Sequence, residues 1–553
     1  MNKLLIPILL ACCSILSQAQ TPFSEYNIID INNINEAILV HGDMGWIPAT
    51  GESSCQFPAG SGKNINFTNA IWLSGYDAGN NLHIAAQTYR QNGNDYWPGG
   101  LDSTDTLTYV NSLRWAKIWK VNKSTIDSFI LTTVHTASTT PTSILTWPGK
   151  GNMNAIGHGI IPIAVTTDMA PFVDLNGNGI YEPLLGEYPD IKGDQALWQV
   201  FSDNGSNHTE THGRPLKVEI HLMTYGYHRG TLIDNVIYYE YSIINKSTNN
   251  YHNFRMGFWD DMDLGYYNDD YIGFDSTWRM GITYNGNSDD GGTAGHPLNS
   301  YGRLIPIVGV TAISLPGDVP GSPVPLGTFD YYRNDSSNLG NPQVDTQYNN
   351  LLHGYDRMHE HFTFDYLGPG IPTTGTGSGP LTNYVFTGNP ATPGSWSECG
   401  AGNTPGDRRF LMTTGDFNLN AGATQKIVMA LVTTNPDTLG GCPNTDFRKL
   451  EFVADTAWHY FHNSATGIAN EVKATTLKVH PNPAHSQLTI EYPGNLTGNE
   501  TISIYNSIGQ LMNIPFNTIS QKTTADISVM PNGVYVVLFQ NGQTSESKLF
   551  IKN

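Results

Sequence analysis

The chain has 553 residues, 39% of them hydrophobic and 11% aromatic, so it is long enough and apolar enough to form two to four packed domains. Acidic residues outnumber basic residues by 48 to 28, which gives a formal net charge of −20. This charge repels phosphate backbones and anionic membranes, and no basic patch with interleaved aromatic residues offsets it, so we expect no nucleic-acid partner.

The first nineteen residues have the three regions of a secretory signal peptide. A polar start with Lys3 precedes an apolar run at 4–16, and Ser17-Gln18-Ala19 follows, so we predict cleavage after Ala19. The alternative is a lipoprotein box that ends at Cys12, although Leu at the second position of that box is unusual. No later apolar run is long enough to span a bilayer, so we expect no transmembrane segment in the mature chain.

The composition favours strands and turns over long helices. Only 14% of the residues are charged, and short apolar runs such as 70–73 and 83–86 end within a few residues at Gly, Asn or Asp. We therefore predict a mostly β fold, with a multi-domain ectodomain of the β-sandwich type and long loops. Within it we expect an N-terminal β-rich region at 20–165 and a second β-rich region at 166–465 that bears calcium loops.

Segment 174–182 has the spacing of the front half of an EF-hand calcium loop. Oxygen-bearing side chains fall at the first, third, fifth and ninth places, and Gly falls at the sixth. The expected Ca²⁺ ligands are Asp174, Asn176, Asn178, Ile180 and Glu182. The twelfth place is Leu185 rather than Glu, and Pro183 interrupts the exit, so we predict a stand-alone loop inside a β domain. The missing bidentate carboxylate then comes from Glu187, Asp190 or Asp194.

A second acidic segment follows the strongest predicted strand, at 235–244. A turn at 245–250 and a return strand at 251–259 deliver this segment, residues 259–275, to the end of a sheet. It holds six aspartates and no Lys or Arg. Because a hard divalent cation relieves the repulsion between unpaired carboxylates, we predict a second Ca²⁺ site, and a solvated acidic turn is the alternative. The expected ligands are Asp260, Asp261, Asp263, Asp269 and Asp270.

The rest of the ectodomain is predicted to form loops and one helix. Residues 285–410 are rich in Gly, Pro, Asn and Ser, which indicates long surface loops. Apolar residues at helical spacing predict a helix near 444–463, and we expect a linker at 466–474. Three cysteines remain after removal of the signal peptide. We expect Cys399 and Cys442 to pair, because both lie in Gly- and Pro-rich loops of an exported protein.

Residues 475–553 form a distinct C-terminal segment. The sequences VHPNPA at 479–484, ISIYNSIGQL at 502–511 and GVYVV at 533–537 occur in order. This ordered set resembles the type A C-terminal sorting domain of the bacterial type IX secretion system. The same residues predict about seven short strands in a small Ig-like β-sandwich. The resemblance implies contact of residues 475–553 with the type IX secretion machinery, passage through the periplasm, removal of this domain, and release or attachment at the cell surface.

The sequences WLSGYD at 72–77 and AQTYR at 86–90 occur together with the Asp174 loop and the acidic segment at 259–275. Through them, residues from about 34 to 310 resemble the ectodomains of other large cargo of this system, which implies a shared fold and no particular chemistry. The sequence has neither the Gly-x-Ser-x-Gly elbow of esterases nor the Gly-x-x-x-x-Gly-Lys loop that binds nucleotides. Two pairs of histidines, His208 with His212 and His359 with His361, do not match the helical zinc-binding motif His-Glu-x-x-His. We therefore expect a calcium-stabilised surface protein, without assigned catalytic residues, that binds a glycan or another surface. The alternatives are a secreted hydrolase that uses acidic loop residues and a structural or matrix role.

Overall fold

The computed structural model describes residues 23–89, 93–319, 322–364, 379–464, 477–491, 501–506, 511–512, 514–519, 522–540 and 545–553. The chain divides into two compact units, of which the first ends at Phe461 and the second begins at His462. Antiparallel strands dominate both units, which confirms the predicted mostly β fold. The predicted signal peptide at 1–19 and linker at 466–474 lie outside the described residues.

The strands of the first unit follow one another along the chain as β1 (Tyr26–Ile29), β2 (Asn35–Leu39), β3 (Trp46–Ile47), β4 (Glu52–Ser53), β5 (Cys55–Gln56), β6 (Asn64–Asn66), β7 (Thr68–Tyr76), β8 (Leu82–Ala85), β9 (Trp97–Pro98), β10 (Trp119–Asn122), β11 (Phe172–Val173), β12 (Tyr188–Pro189), β13 (Gln195–Ser202), β14 (Val218–Gly226), β15 (Val236–Asn245), β16 (Tyr251–Asp261), β17 (Asp270–Asp275), β18 (Met280–Asn285), β19 (Val308–Ser314), β20 (Thr328–Tyr332), β21 (Arg409–Thr413), β22 (Phe417–Leu419) and β23 (Thr424–Thr433). The described α-helices are α1 (Tyr109–Trp115), α2 (Lys123–Ile130), α3 (Thr142–Leu145), α4 (Asp345–Leu352), α5 (Glu398–Ala401) and α6 (Arg448–Ser464). Short 3-10 helices lie at Pro183–Leu185, Leu232–Asn235 and Gly292–Ala294.

A nine-stranded antiparallel sheet forms the centre of the first unit. Its order is β10-β13-β14-β15-β23-β19-β18-β17, and β9 also pairs with β13. The central strand β15 is apolar at successive positions because both of its faces are buried: Val236 and Tyr238 belong to one hydrophobic cluster, and Ile237 and Tyr239 belong to the other. The predicted strand at 235–244 is thus present.

Two smaller sheets cover one face of the large sheet. One has the order β20-β21-β16-β7-β8 with β22 beside β16, and the other has the order β1-β2-β5-β6. Leu73, Met256 and Phe410 of the first small sheet share a buried cluster with Ile237 and Tyr239 of the large sheet. The first unit is therefore a sandwich whose core lies between these sheets.

Helix α6 packs on the opposite face of the large sheet. Leu450, Val453, Ala454 and Ala457 are buried there at helical spacing, as predicted. The helix begins at Arg448 rather than near 444, because Asp446 accepts a hydrogen bond from the Arg448 N–H at 3.1 Å. None of the helices in the described residues combines the length and the apolarity that crossing a membrane requires.

Strands from residues 20–165 and from residues 166–465 pair with one another. The long strand β7 lies antiparallel to β16, and β10 lies antiparallel to β13. The division into compact units has no boundary near residue 165. The two predicted β-rich regions therefore share their sheets and their core.

The second unit has seven strands in its described residues. They are β24 (Lys478–His480), β25 (Gln487–Glu491), β26 (Thr501–Asn506), β27 (Phe516–Ile519), β28 (Lys522–Asp526), β29 (Gly533–Gln540) and β30 (Ser545–Lys552). One sheet has the order β24-β25-β28-β27 and the other has the order β26-β29-β30. Leu488 of the first sheet and Val537 of the second share one buried core, which confirms the predicted seven-stranded sandwich.

Candidate metal centres and a polar cleft

The predicted calcium loop lies between two short paired strands. Strand β11 pairs with β12 so that Val173 faces Tyr188, and this register brings Asp174 opposite Glu187. Asp174 accepts hydrogen bonds from the backbone N–H groups of Gly177 and Gly179, both at 2.7 Å. These glycines have φ angles of +75° and +74°, which residues with a side chain rarely adopt. The turn that the sequence predicted is therefore formed.

The other expected ligands of this loop gather around one carboxylate. Glu182 accepts hydrogen bonds from the side-chain amides of Asn176 at 3.0 Å and Asn178 at 2.7 Å. Asn178 also accepts from the Ile180 N–H at 2.7 Å, and Ile180 itself is exposed. The structure thus brings the side chains of Asp174, Asn176, Asn178 and Glu182 together.

Glu187 is the carboxylate that completes this loop. It is fully buried and accepts from the Leu175 N–H at 3.1 Å and from the Glu182 N–H at 2.7 Å. The Gly179 N–H lowers the pKa of Asp174 most, partial burial opposes the shift, and Glu187 contributes to the lowering. Asp194 instead pairs with Arg229, and Asp190 is exposed. Of the three candidates, Glu187 is the one placed against the loop, and the resulting set of oxygen donors suits Ca²⁺.

The five expected ligands of the second acidic segment do not share one site. Asp260 and Asp261 are neighbours on β16, and neighbouring residues of a strand point to opposite faces of the sheet. Asp260 is fully buried in the sandwich core, where burial and then Glu36 raise its pKa well above the usual range. Burial also raises the pKa of Glu36 to about 7, and Tyr239 donates a 2.6 Å hydrogen bond to Glu36. Asp260 is therefore separated from the other four aspartates.

Asp261 and Asp263 lie beside Asp407, which is not among the ligands expected from the sequence. One carboxylate oxygen from each of the three residues lies within 4.8 Å of the others. In the described residues this is the one group of three or more His, Cys, Asp or Glu side chains with such spacing. Arg409 contacts Asp261 at 3.2 Å and Asp407 at 2.6 Å. The Tyr89 hydroxyl donates a short hydrogen bond to Asp261. We call these three carboxylates the Asp261 cluster.

Asp269 and Asp270 belong to a third group, with Asp290. Asp270 accepts from the Leu264 N–H at 3.0 Å, and Asp269 accepts from the Gly291 N–H at 3.0 Å. Asp290 accepts from the Tyr266 N–H at 2.9 Å and from the Tyr301 N–H. Burial, followed by Asp269 and Asp290, raises the pKa of Asp270 well above its usual range. Through these hydrogen bonds, the carboxylates stabilise the turn before β17 and the loop after β18.

A polar cleft of about 520 Å³ opens elsewhere in the first unit. Among the residues that the structure describes, its lining contains no Asp, Glu, Lys or Arg, although the whole chain is strongly acidic. His212, at its edge, has a φ of +58°, a strained conformation that often marks a functional position. The lining residues are Thr106, Leu107, Asn204, Gly205, Ser206, Asn207, His208, His212, Gly213 and Pro215.

A buried network of polar side chains holds the cleft loop in place. The ring of His208 lies 3.6 Å from Asp95 and 3.9 Å from Asp203, and all three side chains are fully buried. Asp95 accepts from the Glu210 N–H at 3.0 Å and from the Thr211 hydroxyl at 2.6 Å. Asp203 also accepts from the N–H groups of Leu216 and Val218, so buried carboxylates hold the second half of this loop and the residues that follow it.

A second pocket, of about 240 Å³, differs from the cleft because tryptophans and charged residues line it. Its walls include Trp278, Arg279, Trp458, His459 and Asp455. Arg279 also forms an ion pair with Asp318 at 2.9 Å, so its side chain is already engaged. We call this second pocket the Trp278 pocket.

The predicted disulfide is present. Cys399 and Cys442 are bonded, with their Cα atoms 6.0 Å apart, and Cys55 is a buried free cysteine. The bond joins α5 to the loop before α6. Within α5, Glu398 accepts from the Ile272 N–H at 2.9 Å and pairs with Arg408 at 3.2 Å. The prediction that Cys399 and Cys442 pair is confirmed.

Comparison with known proteins identifies the second unit. The family described as the secretion system C-terminal sorting domain matches residues 478–553, which cover its seven described strands. The fold and this match define the class of the protein: it is exported with a C-terminal sorting domain. The chain is a cargo protein of the type IX secretion system, and it is delivered to the cell surface or the extracellular space.

The comparisons carry little information about the first unit. No curated protein matches the chain. A solved structure of a polysaccharide lyase aligns with 70% of this chain at 7% sequence identity, with a TM-score of 0.19. The chain spans 40% of the length of that protein. A superposition this poor supports no functional argument, so function rests on the geometry of the sites.

Proposed function

We propose that this exported protein is a calcium-stabilised surface protein that binds a neutral glycan in the polar cleft. The observation that carries the proposal is the lining of the cleft, which offers hydroxyl, amide and imidazole groups and no charged carboxylate or ammonium group. Sugars present many hydroxyl groups and no net charge, and neutral polar side chains can both donate to and accept from hydroxyls. A charged ligand would lack a counter-charge in this lining.

The size and rigidity of the cleft also suit a saccharide. A volume of about 520 Å³ lies within the range of about 300–1,000 Å³ that small-ligand sites occupy. Asp95 and Asp203 fix the loop that carries Asn204, Ser206 and Asn207, so little side-chain and loop entropy is lost on binding. Leu107 adds an apolar wall, against which the carbon face of a sugar can pack.

The lining favours binding over hydrolysis at this cleft. Glycoside hydrolysis uses a pair of carboxyl groups on either side of the scissile bond. The residues that line the cleft include neither Asp nor Glu, and the two carboxylates that hold its loop, Asp95 and Asp203, are fully buried. We therefore assign the cleft to recognition.

Calcium has a structural role in this proposal. The Asp174 loop supplies carboxylate and amide oxygens from Asp174, Asn176, Asn178 and Glu182. Glu187 joins the two ends of the loop because it accepts hydrogen bonds from the N–H groups of Leu175 and Glu182. An ion held there stabilises the hairpin between β11 and β12 because only the folded chain assembles these oxygens. The sugar site itself requires no metal ligand.

The test is a glycan array probed with the secreted protein in calcium-containing buffer. We expect binding to neutral oligosaccharides and no release of reducing ends. Asn207→Ala removes an exposed cleft amide and should weaken binding at least tenfold, and Ser206→Tyr should block the cleft. Asn420→Ala, an exposed asparagine outside the cleft, is the matched control and should bind as the parent does. Equal binding by Asn207→Ala, Ser206→Tyr and the parent would refute the assignment.

A further inference from the structure

The Asp261 cluster lies where two paired strands leave their sheet. Strand β16 ends at Asp261 and strand β21 begins at Arg409, and the two are antiparallel with Asp260 opposite Phe410. Residues at equal distances beyond such a pair remain close together, so Asp263, three residues after Asp260, meets Asp407, three residues before Phe410. The register itself therefore brings together carboxylates that are more than a hundred residues apart in the chain.

The described contacts leave this cluster short of positive charge. Three carboxylates face one arginine, and Arg409 binds one oxygen of Asp261 and one oxygen of Asp407. The second oxygen of Asp261, Oδ1, is buried and has no hydrogen-bond partner in the described part of the chain. A buried acceptor without a donor is costly, so this oxygen is open to a further partner, which is either a water molecule or an ion. This orphan oxygen is an observation separate from the crowding of the acids.

We propose that Asp261, Asp263 and Asp407 bind one Ca²⁺ ion, which joins the end of β16 to the segment before β21. All the donors are carboxylate oxygens, which hard divalent cations prefer. Ligands at about 2.3–2.6 Å from Ca²⁺ lie up to about 5 Å from one another, and the 4.8 Å limit on the oxygen spacing falls within that span. Tyr89 and Arg409 orient Asp261 and leave its Oδ1 available.

The electrostatics of Asp263 support the same assignment. Its side chain is partly buried, and one of its carboxylate oxygens lies within 4.8 Å of an oxygen of Asp261 and an oxygen of Asp407. No positively charged partner of Asp263 other than Arg409 is found among the described residues. A bound cation removes the repulsion between these carboxylates. No residue of the polar cleft or of the Asp174 loop belongs to this cation site. The proposal is therefore independent of the proposed function.

The test uses the secreted protein carrying Asp174→Ala, so that the other loop contributes no ion. After chelation, calorimetric titration with Ca²⁺ should show one site per chain. Tb³⁺ should give luminescence sensitised by the aromatic pair beside the cluster, because the Tyr89 and Trp259 rings lie 5.4 Å apart and Tyr89 contacts Asp261. Added Ca²⁺ should displace the Tb³⁺ signal.

Three variants in this background decide the outcome. Asp263→Asn and Asp407→Asn should each weaken Ca²⁺ binding at least tenfold, whereas Asp168→Asn, whose side chain is 91% exposed, should bind as the background does. Asp263→Asn should also raise the melting midpoint in chelator, where it relieves repulsion, and lower it in saturating Ca²⁺, where it removes a ligand. The proposal is overturned if the background binds no ion, if both cluster variants bind normally, or if Asp263→Asn is the more stable form in both conditions.

Discussion

Removal of the Cys399–Cys442 disulfide should destabilise the first unit by several kcal/mol. The two cysteines are 43 residues apart in the chain, and the segment between them contains Asp407, Arg409 and β21 to β23. The chain-entropy relation for a loop of this length gives about 4 kcal/mol at 25 °C, and measured values for native disulfides fall mostly at about 2–5 kcal/mol. We therefore expect the double variant Cys399→Ser/Cys442→Ser to lose about 2–4 kcal/mol of unfolding free energy.

The measurement is urea unfolding at 25 °C, followed by tryptophan fluorescence with and without dithiothreitol. The parent should shift to a lower urea midpoint when it is reduced, and the double variant should unfold near the reduced parent under both conditions. Cys55 is an internal control because it is a buried free thiol that is present in every sample. If the double variant loses less than about 1 kcal/mol of unfolding free energy, and the dependence of that free energy on urea concentration is unchanged, the 43-residue segment is held by its packing alone.

Three further predictions concern calcium, pH and processing. Ca²⁺ bound at the Asp174 loop should add about 2.7 kcal/mol of stability at a hundredfold excess over Kd, so in thermal melts chelation should destabilise Asp174→Ala less than the parent by about this amount. Burial raises the pKa of Glu36 from 4.5 to about 7, so the folded state holds a proton that the unfolded state releases. Stability should therefore fall by up to about 3 kcal/mol as the pH rises from 4.5 to 7, and urea titrations of Glu36→Gln should lack this loss. Mass spectrometry should find a secreted product that begins near Gln20 and ends near residue 470, whereas a product that retains residues 475–553 would contradict processing.

The features that local sequence determines could be predicted. The sorting domain was evident because its motifs are short, ordered and close together, and helix α6 was evident because its apolar residues recur at helical spacing. The disulfide followed from the composition of the flanking loops and the export signal. The turn at Asp174 was evident because its oxygen-bearing residues lie within nine positions and its glycines permit the backbone conformation.

The features that depend on strand register could not be predicted. The sequence grouped Asp260 with Asp261, but a single step along β16 moves a side chain to the other face of the sheet. Asp407 lies far along the chain, and only the pairing of β16 with β21 brings it to Asp263. The cleft combines residues near 106 with residues 204–215, and no local pattern links these two segments.

Hydrogen–deuterium exchange of the secreted protein, with and without the glycan that binds best on the array, is the most direct test of where the ligand binds. We predict slower exchange at residues 106–107 and 204–213 in the presence of the glycan, because residues of these two segments line the cleft. Exchange at residues 277–279 and 455–459, which line the Trp278 pocket, should be unchanged. Protection of the Trp278 pocket alone, or unchanged exchange at both sites, would contradict glycan binding in the cleft.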